Sequence, residues 1–409
     1  MLPKEHKGRV PIKKRGGSKG SLVIIGGNLD PNNSAIYSKI INLAGGINKA
    51  KVAIIPTASA IPVSTAYSYR QDFKKYGVPC HLIPIACEDD EFTMGIDESL
   101  WQHHASKKTL MQKIKVHNVI FLTGGVQTRI TEILGCIGEE TPVQTAIRET
   151  YEEGGVIADT SAGAAIMSEI MIGAGQSLDA LLDGVTFENN LSNKEDNRVF
   201  LTKGWGFLKN TIVDQHFIKR GRLGRLISAL VYTGIDIGIG IDENTAIVFD
   251  HSDRIFEVVG ENGVIIVDVS HAKRRDDLPL EGIKISYLSH GDSFDMKHKR
   301  FTVSKAKNIN TLEDPRIRGN TPHPAIFAPS AIQQTLTTDL IDNTANEASG
   351  FAYRMLNDTS GEGIKLTFSK TDETEGYRGI TRGSKVEYAI LNAELSIKPI
   401  KITIKEFRK

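Results

Sequence analysis

Short, wholly apolar runs that end in small residues recur along the first half of this chain, and they restrict its fold more than any other feature. SLVIIGG (21–27), VAIIPT (52–57), VIFLTGG (119–125) and VIADTSAG (156–163) each carry a few consecutive apolar residues and then turn. Helix-like segments at 35–43 and 63–76, a further apolar run at 81–86, a polar helical region and a helix after Gly124-Gly125 fill the gaps. A strand apolar at every position is buried on both faces, and strands alternating with helices form a parallel sheet covered by those helices. The chain therefore reads as α/β: a doubly wound, mostly parallel sheet with helices on both faces. Ligands of such sheets bind beyond the carboxyl ends of the strands. That rule places Gly26-Gly27, Thr57, the turn Gly124-Gly125-Val126-Gln127 and Ser161 on one rim.

Strand-like segments follow at 238–250 and 254–268, and a further one runs to about residue 294. From about 300 the pattern changes. Pro315, Pro322, Pro324 and Pro329 break the chain into loops, and a helix-like piece spans 329–340. IKLTFSK (364–370), VEYAIL (386–391) and IKPIKITIKEF (397–407) then alternate with a period of two, as antiparallel strands with one wet face do. The expected organisation is a basic, disordered tail over 1–20, an α/β domain over 21–298 and a smaller α+β module over 301–409.

The tail carries Lys4, Lys7, Arg9, Lys13, Lys14, Arg15 and Lys19, but no apolar run of signal-peptide length follows it. No segment reaches membrane-spanning length. The formal net charge is +1, which gives no global pull toward nucleic acid or an anionic membrane. The cysteines, Cys80, Cys87 and Cys136, show no zinc spacing and read as reduced packing residues of a cytoplasmic protein. No metal and no cofactor are expected.

Ser161 sits between a strand and a run of small residues, Ala162 to Ala165, with an apolar helical pattern continuing through Ile166, Met167, Ile170 and Met171. A serine on such a turn has its hydroxyl pushed outward beside free backbone N–H groups. An N-cap serine is the plain alternative. The motif is also looser than G-x-S-x-G, with Asp159 in the first glycine's place. A serine nucleophile needs a base, and the base an orienting acid. Of the 11 histidines, His216 stands out in TIVDQHFIKRGRLGRL, where a strand-like segment ends. Arg220, Arg222 and Arg225 follow it, and guanidinium groups grip carboxylates bidentately, which suggests a carboxylate-rich substrate. Asp242 and Glu243, in GIGIDENTA, both qualify as the acid, and residue type does not choose between them. The Gly124-Gly125 turn and the N–H of Ala162 can supply oxyanion donors, and Gln127 a donor to a substrate carbonyl.

Taken together, TGGVQTRI, DTSAGAA, DQHFIKRGRLGRL and GIGIDENTA resemble the cyanophycinases, serine peptidases of family S51, over about residues 20–296. The resemblance implies a doubly wound α/β fold and a Ser-His-Glu triad, carried here by Ser161, His216 and Glu243. It implies substrate-binding roles for Gln127, Asp214, Gln215, Arg220, Arg222 and Arg225, beside the oxyanion donors Gly125 and Ala162 read from the turns. The implied partner is cyanophycin or a related aspartyl peptide. Cyanophycin is a poly-aspartate backbone bearing arginine on each β-carboxyl, cleaved to β-Asp-Arg dipeptides through an acyl-enzyme. A homodimer is expected. Asp159 replaces the family's usual small residue, GGNLD follows the first strand without an acid straight after its glycines, and 188–198 looks extended. The other readings are an aspartyl dipeptidase of the same family and a non-catalytic protein that binds an acidic polymer. A class I amidotransferase is disfavoured, because no cysteine sits at the elbow.

Overall fold

The computed structural model describes residues 19–187, 196–251, 254–273, 280–380 and 385–405. Residues 1–18 of the expected tail, and 188–195 of the extended segment, lie outside them. Strands and helices alternate first: β1 (Ser21–Ile25), α1 (Ser34–Leu43), β2 (Val52–Ile55), α2 (Pro62–Lys75), β3 (Cys80–Leu82), α3 (Lys108–Ile114), β4 (Val119–Leu122), α4 (Gln127–Leu134), α5 (Pro142–Glu152) and β5 (Val156–Thr160). The strands pair in parallel in the order β1-β5-β4-β2-β3. Leu22, Ile24, Ile120, Leu122 and Ile157 pack with apolar residues of α3, α4 and α5. Val23, Ile25, Val52, Ile54 and Phe121 pack with those of α1 and α2. Helices thus cover both faces, which is why the strands read as unbroken apolar runs.

After β5 come α6 (Ala162–Ala165), β6 (Ile170–Ala174), α7 (Ser177–Leu182), β7 (Val185–Thr186) and β8 (Val199–Lys203). The helix expected through Met171 stops at Ala165. Ile170 and Met171 belong to β6, which pairs antiparallel with β8. That partner lies far along the chain, and a helical period cannot reveal it.

The remainder is β9 (Thr211–Gln215), α8 (Leu223–Thr233), β10 (Ile237–Ile241), β11 (Thr245–Phe249), β12 (Ile255–Gly260), β13 (Val264–Asp268), β14 (Leu280–Leu288), β15 (Ser293–Asp295), β16 (Arg300–Thr302), β17 (Ile309–Asn310), α9 (Ala331–Leu336), β18 (Glu347–Met355), β19 (Ser360–Ser369), β20 (Glu375–Ile380) and β21 (Val386–Thr403). Strands β11, β12, β15 and β16 extend the first sheet antiparallel beyond β1. A second sheet runs β17-β20-β21-β14-β13-β10-β9, with β19 on β21 and β18 on β19. Among its described strands only β9 and β10 pair in parallel.

The residues after 300 are built into both sheets. Strand β16 forms a hairpin with β15, and β21, one continuous strand through both expected segments, pairs with β14. An ion pair adds to this: Arg354 on β18 contacts Asp183, after α7, at 2.6 Å.

Strand β10 explains how the second sheet positions the site. Its isoleucines face the central core, and its glycines face the other way. A Cβ on Gly240 would lie 2.2 Å from the Phe217 ring. Only a bare backbone lets that fully buried ring approach β10 so closely. Burying it contributes about 1.5–3 kcal/mol and anchors the residue just before it, His216.

Candidate active site

Three strand ends converge here. Ser161, straight after β5, has φ 55° and ψ −105°, a backbone conformation that costs a non-glycine residue about 1–3 kcal/mol. Its N–H donates to the Ile25 carbonyl at 2.9 Å, and its own carbonyl accepts from Ala164 at 2.9 Å, which fixes the turn. Because α6 is a single turn, no long helix dipole stands behind the hydroxyl.

His216 follows β9, and its N–H donates to the Gly26 carbonyl at 2.7 Å. Its ring lies against Gly27, where a Cβ would come within 2.4 Å of the imidazole. The φ of Gly27, +117°, also excludes most side chains. Glu243 follows β10. Its backbone carbonyl accepts from Asn262 Nδ2 at 2.7 Å and Thr245 Oγ1 at 3.1 Å.

These constraints bring three side chains into line. Ser161 Oγ lies 2.8 Å from His216 Nε2, and His216 Nδ1 lies 2.7 Å from Glu243 Oε1. The acid left open by residue type is settled in position: Glu243 meets the histidine. Asp242 turns away and accepts the N–H groups of Ile218 and Lys219 at 3.1 and 2.9 Å.

Burial pushes the His216 imidazole below its ordinary value, and the Arg220 and Arg222 charges push the same way; the Glu243 hydrogen bond opposes them. The ring is therefore neutral at pH 7 and able to accept a proton.

The three line a cavity of about 540 Å³. Gly125, Gln127, Gln215, Arg220 and Arg222 also line it. Arg222 donates to the Gln215 carbonyl at 2.6 Å; burial lowers its guanidinium to about 10, so it stays charged at neutral pH. Arg220 is exposed at the mouth. Gln127 donates its amide hydrogens to the Ile172 and Gly173 carbonyls at 2.8 and 3.0 Å. Its oxygen, an acceptor, is what remains for a ligand, not the donor that the sequence suggested. Ala162 is fully buried beneath the elbow.

Two residues expected at the substrate do not line the cavity. Asp214 and Arg225 are buried behind it and bind each other, with Arg225 Nη2 at 2.5 Å from Asp214 Oδ1 and Nε at 2.7 Å from Oδ2. Burial alone would raise the Asp214 carboxyl, but Arg225 overrides it and holds the group below its ordinary value. Thr57 likewise turns inward, donating to the Ile85 carbonyl at 2.9 Å.

The cavity also contains residues that sequence reasoning passed over: Asn28, Tyr69 and Thr160. Asn28 directly follows Gly26-Gly27, so the strand-end rule that selected the rim also covers it. Tyr69 lies on α2 against the Phe121 ring, 4.8 Å between centroids. Burial pushes its phenol up to about 12, so it stays protonated.

Asp159, two residues before Ser161, is fully buried. Neither of its carboxyl oxygens finds a hydrogen bond of normal geometry among the described residues. Burial drives its carboxyl well above the usual range, so it is neutral at pH 7.

A parallel α/β sheet whose strand-end serine meets an imidazole, itself held by a carboxylate, has the geometry of a serine hydrolase. Residues 22–256 match the family model described as Peptidase family S51. The chain is 31% identical to a cyanophycinase of Synechococcus elongatus over 303 residues, which cover 70% of this chain and 84% of that protein. A cyanophycinase of Geminocystis herdmanii is 32% identical over 291 residues, covering 68% and 94%. A crystal structure of a peptidase from an acI-B1 Actinobacterium superposes with a TM-score of 0.48 at 21% identity, covering 68% of this chain and 97% of that one. The chain belongs to peptidase family S51.

Proposed function

We propose that this peptidase cleaves the aspartate backbone of cyanophycin, or a closely related aspartyl polymer, through an acyl-enzyme on Ser161. The observation that carries the reading is the aligned Ser161, His216 and Glu243 in a cavity whose wall holds Arg220 and Arg222. The relatives' names supply the polymer, and the two guanidinium groups are suited to its free carboxylates.

In this scheme Ser161 Oγ attacks the scissile carbonyl carbon as its proton passes to His216 Nε2. Glu243 stabilises the imidazolium through Nδ1–H. The N–H groups of Gly125 and Ala162 receive the oxyanion. The imidazolium gives its proton to the leaving nitrogen, and the C–N bond breaks. Water then attacks the ester carbon, its proton goes to Nε2, and the acid product leaves with Ser161 restored. Gln127 and Gln215 flank the bound chain, Arg220 and Arg222 hold its carboxylates, and Asp214 with Arg225 supports the wall from behind.

Mass analysis of what the enzyme releases from purified cyanophycin tests this. The expected product is the β-Asp-Arg dipeptide, absent with Ser161→Ala. Turnover of short aspartyl dipeptides with none of the polymer would favour the dipeptidase reading instead.

A further inference from the structure

We infer that Asn28 is a positioning residue of the catalytic apparatus: its amide holds the second oxygen of Glu243 while His216 holds the first. The inference rests on the serine-peptidase reading of this site.

Asn28 lines the cavity, and its Nδ2 donates to Glu243 Oε2 at 3.2 Å. His216 Nδ1 takes Oε1 at 2.7 Å. A carboxylate bound through one oxygen alone can rotate about its terminal bond, because that torsion is broad. A donor on each oxygen fixes the plane of the group, and with it the direction in which the imidazole is held. The amide can point only one way here, since its oxygen would repel the carboxylate.

The backbone is shaped for this task. Asn28 has φ 44°, a left-handed conformation that asparagine tolerates better than most residues. The loop around it is tied to the turn that carries Glu243. Asn244 N–H donates to the Gly27 carbonyl at 2.8 Å, Asp30 N–H to Asn244 Oδ1 at 3.1 Å, and Asn33 Nδ2 to Asn244 Oδ1 at 2.8 Å. The β1–α1 loop and the β10–β11 turn therefore move as one piece, with Asn28 as the side chain that converts their contact into alignment of the triad. The titratable groups sharing this cavity wall are Tyr69, His216, Arg220, Arg222 and Glu243.

Two variants test it, with Ser161→Ala run beside them. Asn28→Gly keeps the left-handed backbone and removes the amide. It should lower kcat about 10-fold while KM changes less than about 3-fold and the melting temperature stays within about 2 °C of wild type. Asn28→Asp also tolerates the conformation but faces Glu243 with a like charge. That added negative charge favours the imidazolium, so the acid limb of kcat/KM against pH should move to higher pH. Wild-type kcat in Asn28→Gly, a change confined to KM, or an unmoved acid limb in Asn28→Asp would each overturn the assignment. Retained turnover in Ser161→Ala would instead overturn the reading beneath it.

Discussion

Ser161 and His216 stand 2.8 Å apart at Oγ and Nε2, although each ends a strand of a different sheet. Ser161 leaves β5 of the first sheet, and His216 leaves β9 of the second. Backbone bonds tie the sheets together at this point: His216 N–H donates to Gly26 O (2.7 Å), and Asn244 N–H, in the turn that leaves β10, donates to Gly27 O (2.8 Å). The geometry of the site therefore depends on the integrity of both sheets.

That dependence predicts the outcome of truncation. Ending the chain at residue 298 removes β16 from its hairpin with β15 and strips β21 from β14. It exposes an open edge and the apolar face of Ile283, Ile285 and Tyr287, all buried in the full chain. The truncated protein should aggregate or melt far below the full chain by circular dichroism. A soluble, active 1–298 fragment would show that the second sheet stands without its C-terminal strands.

The pH dependence has a defined sign. His216 must be neutral to accept the serine proton, and its pKa is depressed by burial and by Arg220 and Arg222. Activity should therefore survive into acid below the ordinary histidine value of about 6.5. Arg220→Ala removes a positive charge that disfavours the imidazolium, so the acid limb of kcat/KM should move to higher pH. An unmoved limb would sever the electrostatic link between Arg220 and the base.

The arginines should separate in their effects. Arg225 and Asp214 are a buried, mutually bonded pair. Arg225→Ala takes the nearest charge from the buried Asp214 carboxylate, leaving Arg222 at 3.7 Å, and should cost about 3–5 kcal/mol in urea unfolding. Arg220 is exposed, so Arg220→Ala should change stability by no more than about 0.5 kcal/mol while raising KM for the polymer. Equal stability losses in the two variants would contradict this division.

Asp159 should be a stability liability at neutral pH. Its folded-state pKa is raised by burial, so the unfolded chain loses its proton first as pH rises through the ordinary aspartate value of about 3.9. Folding stability falls over that window and stays lower at pH 7. Asp159→Ala should therefore gain on wild type as pH rises from about 3.5 to 7, the gain coming from the proton that the unfolded carboxyl loses and the folded one keeps. Unfolding curves at pH 3.5 and 7 read this directly. A gap independent of pH would mean that ionisation of the carboxyl is not the source.

Much of this was legible in the sequence because it is local. The apolar runs and their glycine turns located β1, β2, β4 and β5, and the small residues after Ser161 marked the elbow. What stayed hidden is long-range. Nothing near Asp214 reveals that Arg225 will neutralise it, since a solvated arginine cluster and a buried ion pair share one local pattern. The partner of Asn28 lies 215 residues away. The alternation at 386–407 identified a strand but not its neighbour β14, which lies far earlier in the chain. Residue type could not choose between Asp242 and Glu243, because the turn backbone, and not the carboxyl, decides which one faces the imidazole.

The most direct test compares kcat on cyanophycin for Ser161→Ala, His216→Ala and the double variant, with folding checked by circular dichroism. If Oγ and Nε2 act as one unit, each single variant loses about 10⁴-fold or more, and the double variant loses no more than the worse single one. Losses that multiply, or a single variant that retains substantial turnover, would contradict a nucleophile activated by this histidine.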